Sequence, residues 1–250
     1  MIEKNDDKKY FSETQRFYNR LFENDDHYGA QEYLHGWAGN FHRYRVQLLR
    51  NIFINILKCK KDTEILDVGS HLSIFGQVFS PNECPRVTAI DISDVIVEKI
   101  KKTYPQIKPI VDNAQNPAIV GKWDILFAGD IIEHLPNPSE ALVKWDNLIK
   151  DNGYLFISTP NRYFSRKTKE HISLVSIGEI KKMLGQLDYK IVEIIGIDLF
   201  IPFSDRLLHK ISKHFSRLSP LTDRIFQLKM RSTLNYPWLA RNVIYIARKG

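Results

Sequence analysis

Four aspartates, Asp67, Asp91, Asp112 and Asp130, each close a short apolar run: "EILDVG", "TAIDIS", "PIVDNA" and "LFAGDI". A carboxylate at the end of a buried strand offers two acceptor oxygens, which suits a vicinal diol, an amino edge or a cation. Taken singly, each is most simply a strand-end or loop cap, but that reading weakens when several close successive strands. Behind the first, the chain runs Gly69-Ser70-His71-Leu72-Ser73-Ile74, a tight turn with one glycine where a phosphate-binding turn carries more. It lacks G-x-G-x-x-G and has no Gly-Lys-Ser/Thr, so a dinucleotide and a nucleoside triphosphate are both disfavoured. Behind the fourth, "DIIEHLPNP" holds Glu133 and His134, and "KEHISLVS" further on holds His171. An imidazole that titrates near neutrality is suited to take a proton from a hydroxyl.

These residues need a scaffold, and the hydrophobic pattern supplies one. Seven β-branched or apolar runs, at residues 63–68, 86–90, 108–111, 123–128, 154–159, 189–195 and 242–248, alternate with helical patterns. That alternation predicts an α/β fold with a Rossmann-like, seven-stranded, mostly parallel sheet and helices on both faces. Ser93 caps one helix, Pro138 opens a second, and Ser176 with Glu179 three residues on forms a capping box for a third. In such sheets, ligands bind outside the carboxyl ends of the strands, where strand order reverses.

Two helical stretches, residues 12–23 and 43–57, precede the sheet and are joined by the aromatic segment "NDDHYGAQEYLHGWAGNFHRY". Residues 1–60 are therefore expected to form a helical extension or lid, with Gly29, Gly36 and Gly39 as hinges. Residues 61–198 form the α/β core, 199–241 a basic helical insertion or cap, and 242–250 the last strand. The chain carries a net charge of +7, yet from residue 199 onward ten lysines and arginines face two acidic residues. The excess belongs to the insertion, where residues 205–218 place leucines, Ile211 and Phe215 on one helical face and cations on another. Such a helix packs on a core or lies on an anionic membrane surface.

Cys59 and Cys84 lack the spacing of a metal site, so no metal is expected and a reducing compartment, the cytoplasm, is the reading. The charged N-terminus is unlike a secretory signal, and no apolar run approaches the roughly 20 residues of a membrane span. Nucleic acid is disfavoured as a partner because the positive charge comes without a binding signature.

The series of Asp67, Asp91, Asp112 and the Gly129-Asp130 turn resembles the class I S-adenosylmethionine-dependent methyltransferases, in the group with the quinone, saccharide and other small-molecule O-methyltransferases. The resemblance covers about residues 60–195 and the last strand. It implies that S-adenosyl-L-methionine is the cofactor. Asp67 with the backbone at Gly69, Ser70 and His71 would meet its methionine end, and Asp91 its ribose. Ile92 would pack on the adenine, Asp112 with Asn113 or Ala114 would read the adenine edge, and Gly129 and Asp130 would border the sulfonium. The "HRY" at residues 42–44 is similar to a motif in saccharide-associated members, which would give Arg43 to the methionine carboxylate. His134 and His171 are the candidate catalytic bases, His171 on the substrate side. The sequence departs from the family loop at His71 and Ser73, where glycines are usual. The implied function is O-methylation of a small-molecule, saccharide or lipid-linked acceptor; the rivals are a nucleic-acid methyltransferase and a non-catalytic relic of the fold.

Overall fold

The computed structural model describes residues 3–24, 36–164, 170–200, 225, 228–230 and 235–250. The strands are β1 (Glu64–Val68), β2 (Arg86–Asp91), β3 (Lys108–Val111), β4 (Trp123–Gly129), β5 (Ile149–Pro160), β6 (Lys190–Leu199) and β7 (Ala240–Arg248). They form one sheet in the order β3-β2-β1-β4-β5-β7-β6. The pairs of β1 with β2, β1 with β4, β2 with β3 and β4 with β5 are parallel, whereas β7 runs antiparallel between β5 and β6. Because β1 to β4 run parallel, the loops after them all open on one edge of the sheet, and the order reverses there between β1 and β4.

Period-two alternation divides the core. Ile65, Val87, Ala89, Ile125, Phe127 and Phe156 point to one face, and Leu66, Ile90, Leu126, Ala128, Leu155 and Ile157 to the other. The first face is covered by α1 (Glu3–Asn24), α2 (Gly36–Asn51) with the wider turn Ile52–Ile56 that prolongs it, α3 (Phe75–Val78) and α4 (Asp94–Thr103). At its centre Phe53, Phe75, Phe127 and Phe156 meet with ring centroids 4.7 to 5.9 Å apart. The second face is covered by α5 (Pro138–Asp146) and α6 (Ile177–Gln186), with Trp145 fully buried. The caps stand where the sequence puts them. The Ser93 side chain accepts from the Ile96 N–H, and Ser176 and Glu179 make a reciprocal capping box.

Three expectations change. The second helix begins at Gly36, so Gly36 and Gly39 lie inside α2 and are not hinges between helices. Its start is obscured in the sequence by those two glycines, which lower helix propensity. The fifth strand runs from Ile149, because Ile149 pairs with Trp123 before the register shifts. One cation of the basic insertion, Lys229, is buried and ion-paired with Asp198 at 2.6 Å rather than presented to solvent. The amphipathic segment 205–218 and the aromatic residues Tyr28 and Tyr33 lie outside the described residues. Among the described residues, no helix is long and apolar enough to cross a membrane.

Candidate functional site

The edge where β1, β2, β3 and β4 end collects the acidic series. Asp67 is 2% exposed, and its Oδ2 accepts from the Ser73 hydroxyl at 2.7 Å. Burial pushes its carboxyl up to about 8, and the neighbouring Asp91 charge adds to the rise. Asp91, also buried, accepts from the backbone N–H of His71 on one oxygen and of Ser93 on the other, both at 2.9 Å. Burial raises it to about 6 against those hydrogen bonds.

The loop between them keeps a glycine-rich shape with few glycines. Gly69, His71 and Ser73 all have positive φ, at +64°, +46° and +46°. A non-glycine residue in that region costs about 1–3 kcal/mol and persists only where its surroundings fix it. They do so here. Ser73 donates its backbone N–H to the Ser70 carbonyl at 2.8 Å and its hydroxyl to Asp67, while His71 is tied by its N–H to Asp91. The His71 ring is buried against Phe22 of α1, with centroids 5.1 Å apart, and that burial lowers its pKa to about 4. At Gly69 a Cβ would lie 2.4 Å from the Ile131 side chain, so any other residue there would have to displace Ile131 as well as hold a positive φ.

Helix α1 closes over this loop. Gln15 donates to the Ile92 carbonyl at 2.9 Å, Ser93 Oγ lies 2.7 Å from Asn19 Oδ1, and Lys99 reaches the Phe22 carbonyl at 2.9 Å. After β3, Asp112 closes its own loop. Its two oxygens accept from the backbone N–H groups of Asn113, Ala118 and Ile119 at 2.7 to 3.0 Å. The Ala114 carbonyl accepts from Trp145 at 2.8 Å, so this loop is held from both sides.

The turn after β4 is built differently. Asp130, with φ of +53°, is ion-paired to Arg45 of α2 at 2.6 Å and accepts from Ser158 Oγ of β5 at 2.8 Å. Gly129 makes room for the Phe127 ring beside this pair: a Cβ there would stand 2.6 Å from that ring. Arg43, the residue singled out from the sequence, is exposed, and the guanidinium that reaches the strand ends is Arg45, two positions on. A signal was present. Arg45 shares a helical stripe with Leu48, Leu49 and Ile52, and a charge on a buried stripe marks a functional or paired group.

Glu133 is 1% exposed, accepts from the Thr159 hydroxyl at 3.1 Å, and has its carboxyl raised by burial and by the Asp130 charge. Its backbone carbonyl accepts from the Ser173 N–H at 2.9 Å, which brings the loop after β5 alongside. The structure thereby joins His134 and His171, 37 positions apart in the chain, with ring centroids 5.2 Å apart at 71°. His134 Nδ1 lies 3.0 Å from the Glu170 carbonyl and must donate to it, which leaves Nε2 with the ring's lone pair. Burial lowers the His134 pKa, so the neutral ring is favoured. A groove of about 740 Å³ opens on the α5–α6 face, bordered by Ser139, Arg162, Lys182, Met183 and, directly after His171 in the chain, Ile172 and Ser173. Asp67 and Asp91 do not border it.

The strand order, the switch point between β1 and β4, and the acidic residues at four strand ends define the Rossmann-like class of S-adenosylmethionine-dependent methyltransferases. Residues 37–194 match a methyltransferase-domain family, and the chain belongs to it. A ubiquinone biosynthesis O-methyltransferase of Shewanella halifaxensis is 25% identical over 105 residues, which are 40% of this chain and 44% of that protein. The chain thus spans less than half the length of that relative. Among solved structures, the magnesium protoporphyrin IX methyltransferase of Synechocystis PCC 6803, with bound S-adenosylhomocysteine, superposes with a TM-score of 0.62 at 11% identity, covering 96% of this chain and 99% of that one. A [4+2]-cyclase does so at 0.55 and 13% identity, covering 81% and 80%. At these identities the likeness is one of fold, and the cyclase is a reminder that activity must be argued from the site.

Proposed function

We propose that the protein transfers a methyl group from S-adenosylmethionine to a hydroxyl of a small-molecule, saccharide or lipid-linked acceptor. The observation that carries this reading is the loop after β1, which adopts positive φ at three positions and ties Asp67 and Asp91 together although two of the three residues are not glycine. A strained loop held so firmly is a feature of a working ligand site.

The donor set fits the cofactor. Asp67 and the backbone of Gly69, Ser70 and His71 would hold its methionine end. Each Asp91 oxygen accepts one backbone N–H and has a second lone pair for a ribose hydroxyl. Ile92 would pack on the adenine. Because Asp112 is spent on its own loop, the adenine edge falls to Asn113 and Ala114. Gly129 and Asp130 would border the sulfonium, with Arg45 holding Asp130 in place, and Arg43 would meet the methionine carboxylate. Bound there, S-adenosylmethionine supplies an electrophilic methyl group.

The chain's own contribution is positioning and proton handling. Helix α1 covers the loop after β1 through Phe22 and the loop after β2 through Gln15 and Asn19. On the other side, Glu133, His134 and His171 gather where the acceptor's hydroxyl must be held and relieved of its proton, and the Nε2 lone pair of His134 is left available because Nδ1 is taken by the Glu170 carbonyl. The groove beside them is the path for the rest of the acceptor. Cations of the insertion 199–241, including residues 205–218, would meet a phosphate or carboxylate on it, or an anionic lipid surface that carries it.

Incubation with tritiated S-adenosylmethionine and a cell extract, fractionated into RNA, lipid, polysaccharide and small molecules, tests this. Label in the lipid, saccharide or small-molecule fraction is expected. Label in RNA would move the activity to nucleic acid, and no label in any fraction would favour a non-catalytic relic.

A further inference from the structure

We infer that Glu133, His134 and His171 bind one divalent first-row metal ion, Zn²⁺ or Mn²⁺, through which the site grips the acceptor's hydroxyl. The inference deepens the methyl-transfer reading and rests on it for the role of the ion, though not for its binding.

One ligand atom from each of the three residues lies within 4.8 Å of the other two. Metal–ligand bonds of about 2.1 Å put neighbouring ligands of a tetrahedral ion roughly 3.4 Å apart, so small rotations of the side chains close the site. The set is two imidazoles and one carboxylate. That composition suits zinc, manganese or iron and leaves coordination positions open for a substrate oxygen.

The supports around the three residues are those a metal site needs. Ring orientation at a metal is commonly set by the second ring nitrogen donating to a carbonyl, and His134 makes that bond to Glu170 at 3.0 Å. The Glu133 carboxylate is held by Thr159 at 3.1 Å, and its carbonyl is stitched to Ser173 at 2.9 Å, two residues past His171. A second observation points to a missing partner. His171 Nδ1 is buried and has no hydrogen-bond partner among the described residues, and buried polar atoms of that kind are few. The two rings meet edge to face at 71° instead of hydrogen-bonding to one another. A base relay between the histidines would require such a bond, whereas two ligands to one ion do not. With an ion in place, an acceptor hydroxyl bound at an open position would ionise at a lower pH. Its proton then passes to water, the oxygen takes the methyl group as the bond from methyl to sulfur breaks, and S-adenosylhomocysteine is the leaving group.

The test is metal binding by the full chain after dialysis against a chelator. Co²⁺ titration followed by its visible absorption, with competition by Zn²⁺ and Mn²⁺, is expected to show one site per chain. His171→Ala and Glu133→Gln should each weaken it by about tenfold or more, with unchanged circular dichroism and unchanged S-adenosylhomocysteine affinity. No saturable binding by the wild type, or equal binding by both variants, overturns the inference. S-adenosylhomocysteine titrated into the same preparations reports separately on the cofactor reading, so failure of one is distinguishable from failure of the other.

Discussion

The ends of β1 and β2 and the ends of β4 and β5 lie along one sheet edge but are built in opposite ways. Asp67 and Asp91 find their partners in the backbone and the serine of their own loops, at Ser73, His71 and Ser93. Asp130 and Glu133 draw on side chains from elsewhere: Arg45 of α2, Ser158 and Thr159 of β5, and the loop that carries His171. The first half is a cradle whose carboxylates are held by the loops after β1 and β2 themselves, with α1 packed over it. The second is assembled by the tertiary fold, so it can change with the acceptor while the cradle stays.

The comparison breaks most visibly at Arg45. Arg45→Ala should lower kcat/KM by about tenfold or more, because Asp130 is left without its charge-assisted partner at the strand end. The cradle variants should leave that ion pair intact. If Arg45→Ala retains full methyl transfer, the assembled half is scaffolding only.

The cradle should show itself in pH. The Asp67 carboxyl sits at about 8 in the folded chain, against about 4 in an unfolded one. Between those values the folded state holds a proton that the unfolded state has released. Its contribution to stability is therefore complete below about pH 4 and is lost as the pH rises through the folded value near 8. Asp67→Asn should flatten that decline in urea titrations run from pH 5 to 8. A cationic ligand at Asp67 should bind more tightly with rising pH over the same range, releasing a proton that buffers of different ionisation enthalpy would reveal by calorimetry.

The smallest effects separate the two departures from glycine. His71→Gly relieves the left-handed strain but gives up the contact with Phe22, so stability should change by about 1 kcal/mol or less. Ser73→Gly relieves the same strain and also strips the hydroxyl from buried Asp67, and should cost about 1–2 kcal/mol more. Equal losses in thermal melts would mean that the Ser73–Asp67 bond does not hold the loop.

The pattern of partners explains what the sequence disclosed. The strands, the caps at Ser93 and Ser176 and the acidic series were legible because each rests on local periodicity or a motif a few residues long. Arg45 was passed over for Arg43 because the choice depends on which side of α2 faces the sheet, and the glycines at 36 and 39 hid the start of that helix. The pairing of His134 with His171 was beyond local pattern, since it is made by the Glu133–Ser173 bond across the sheet edge. His71 and Ser73 read as losses from a glycine loop, yet the backbone keeps its shape through hydrogen bonds that no motif encodes.

The most direct test of the central claim is titration calorimetry of S-adenosylhomocysteine into the wild type and Asp91→Ala. Asp91 anchors the loop through His71 and Ser93 and is the proposed ribose acceptor. Saturable binding by the wild type, weakened about a hundredfold in Asp91→Ala as two charge-assisted hydrogen bonds are lost, is the predicted result. No binding by the wild type at millimolar ligand, or equal binding by both, would contradict the account.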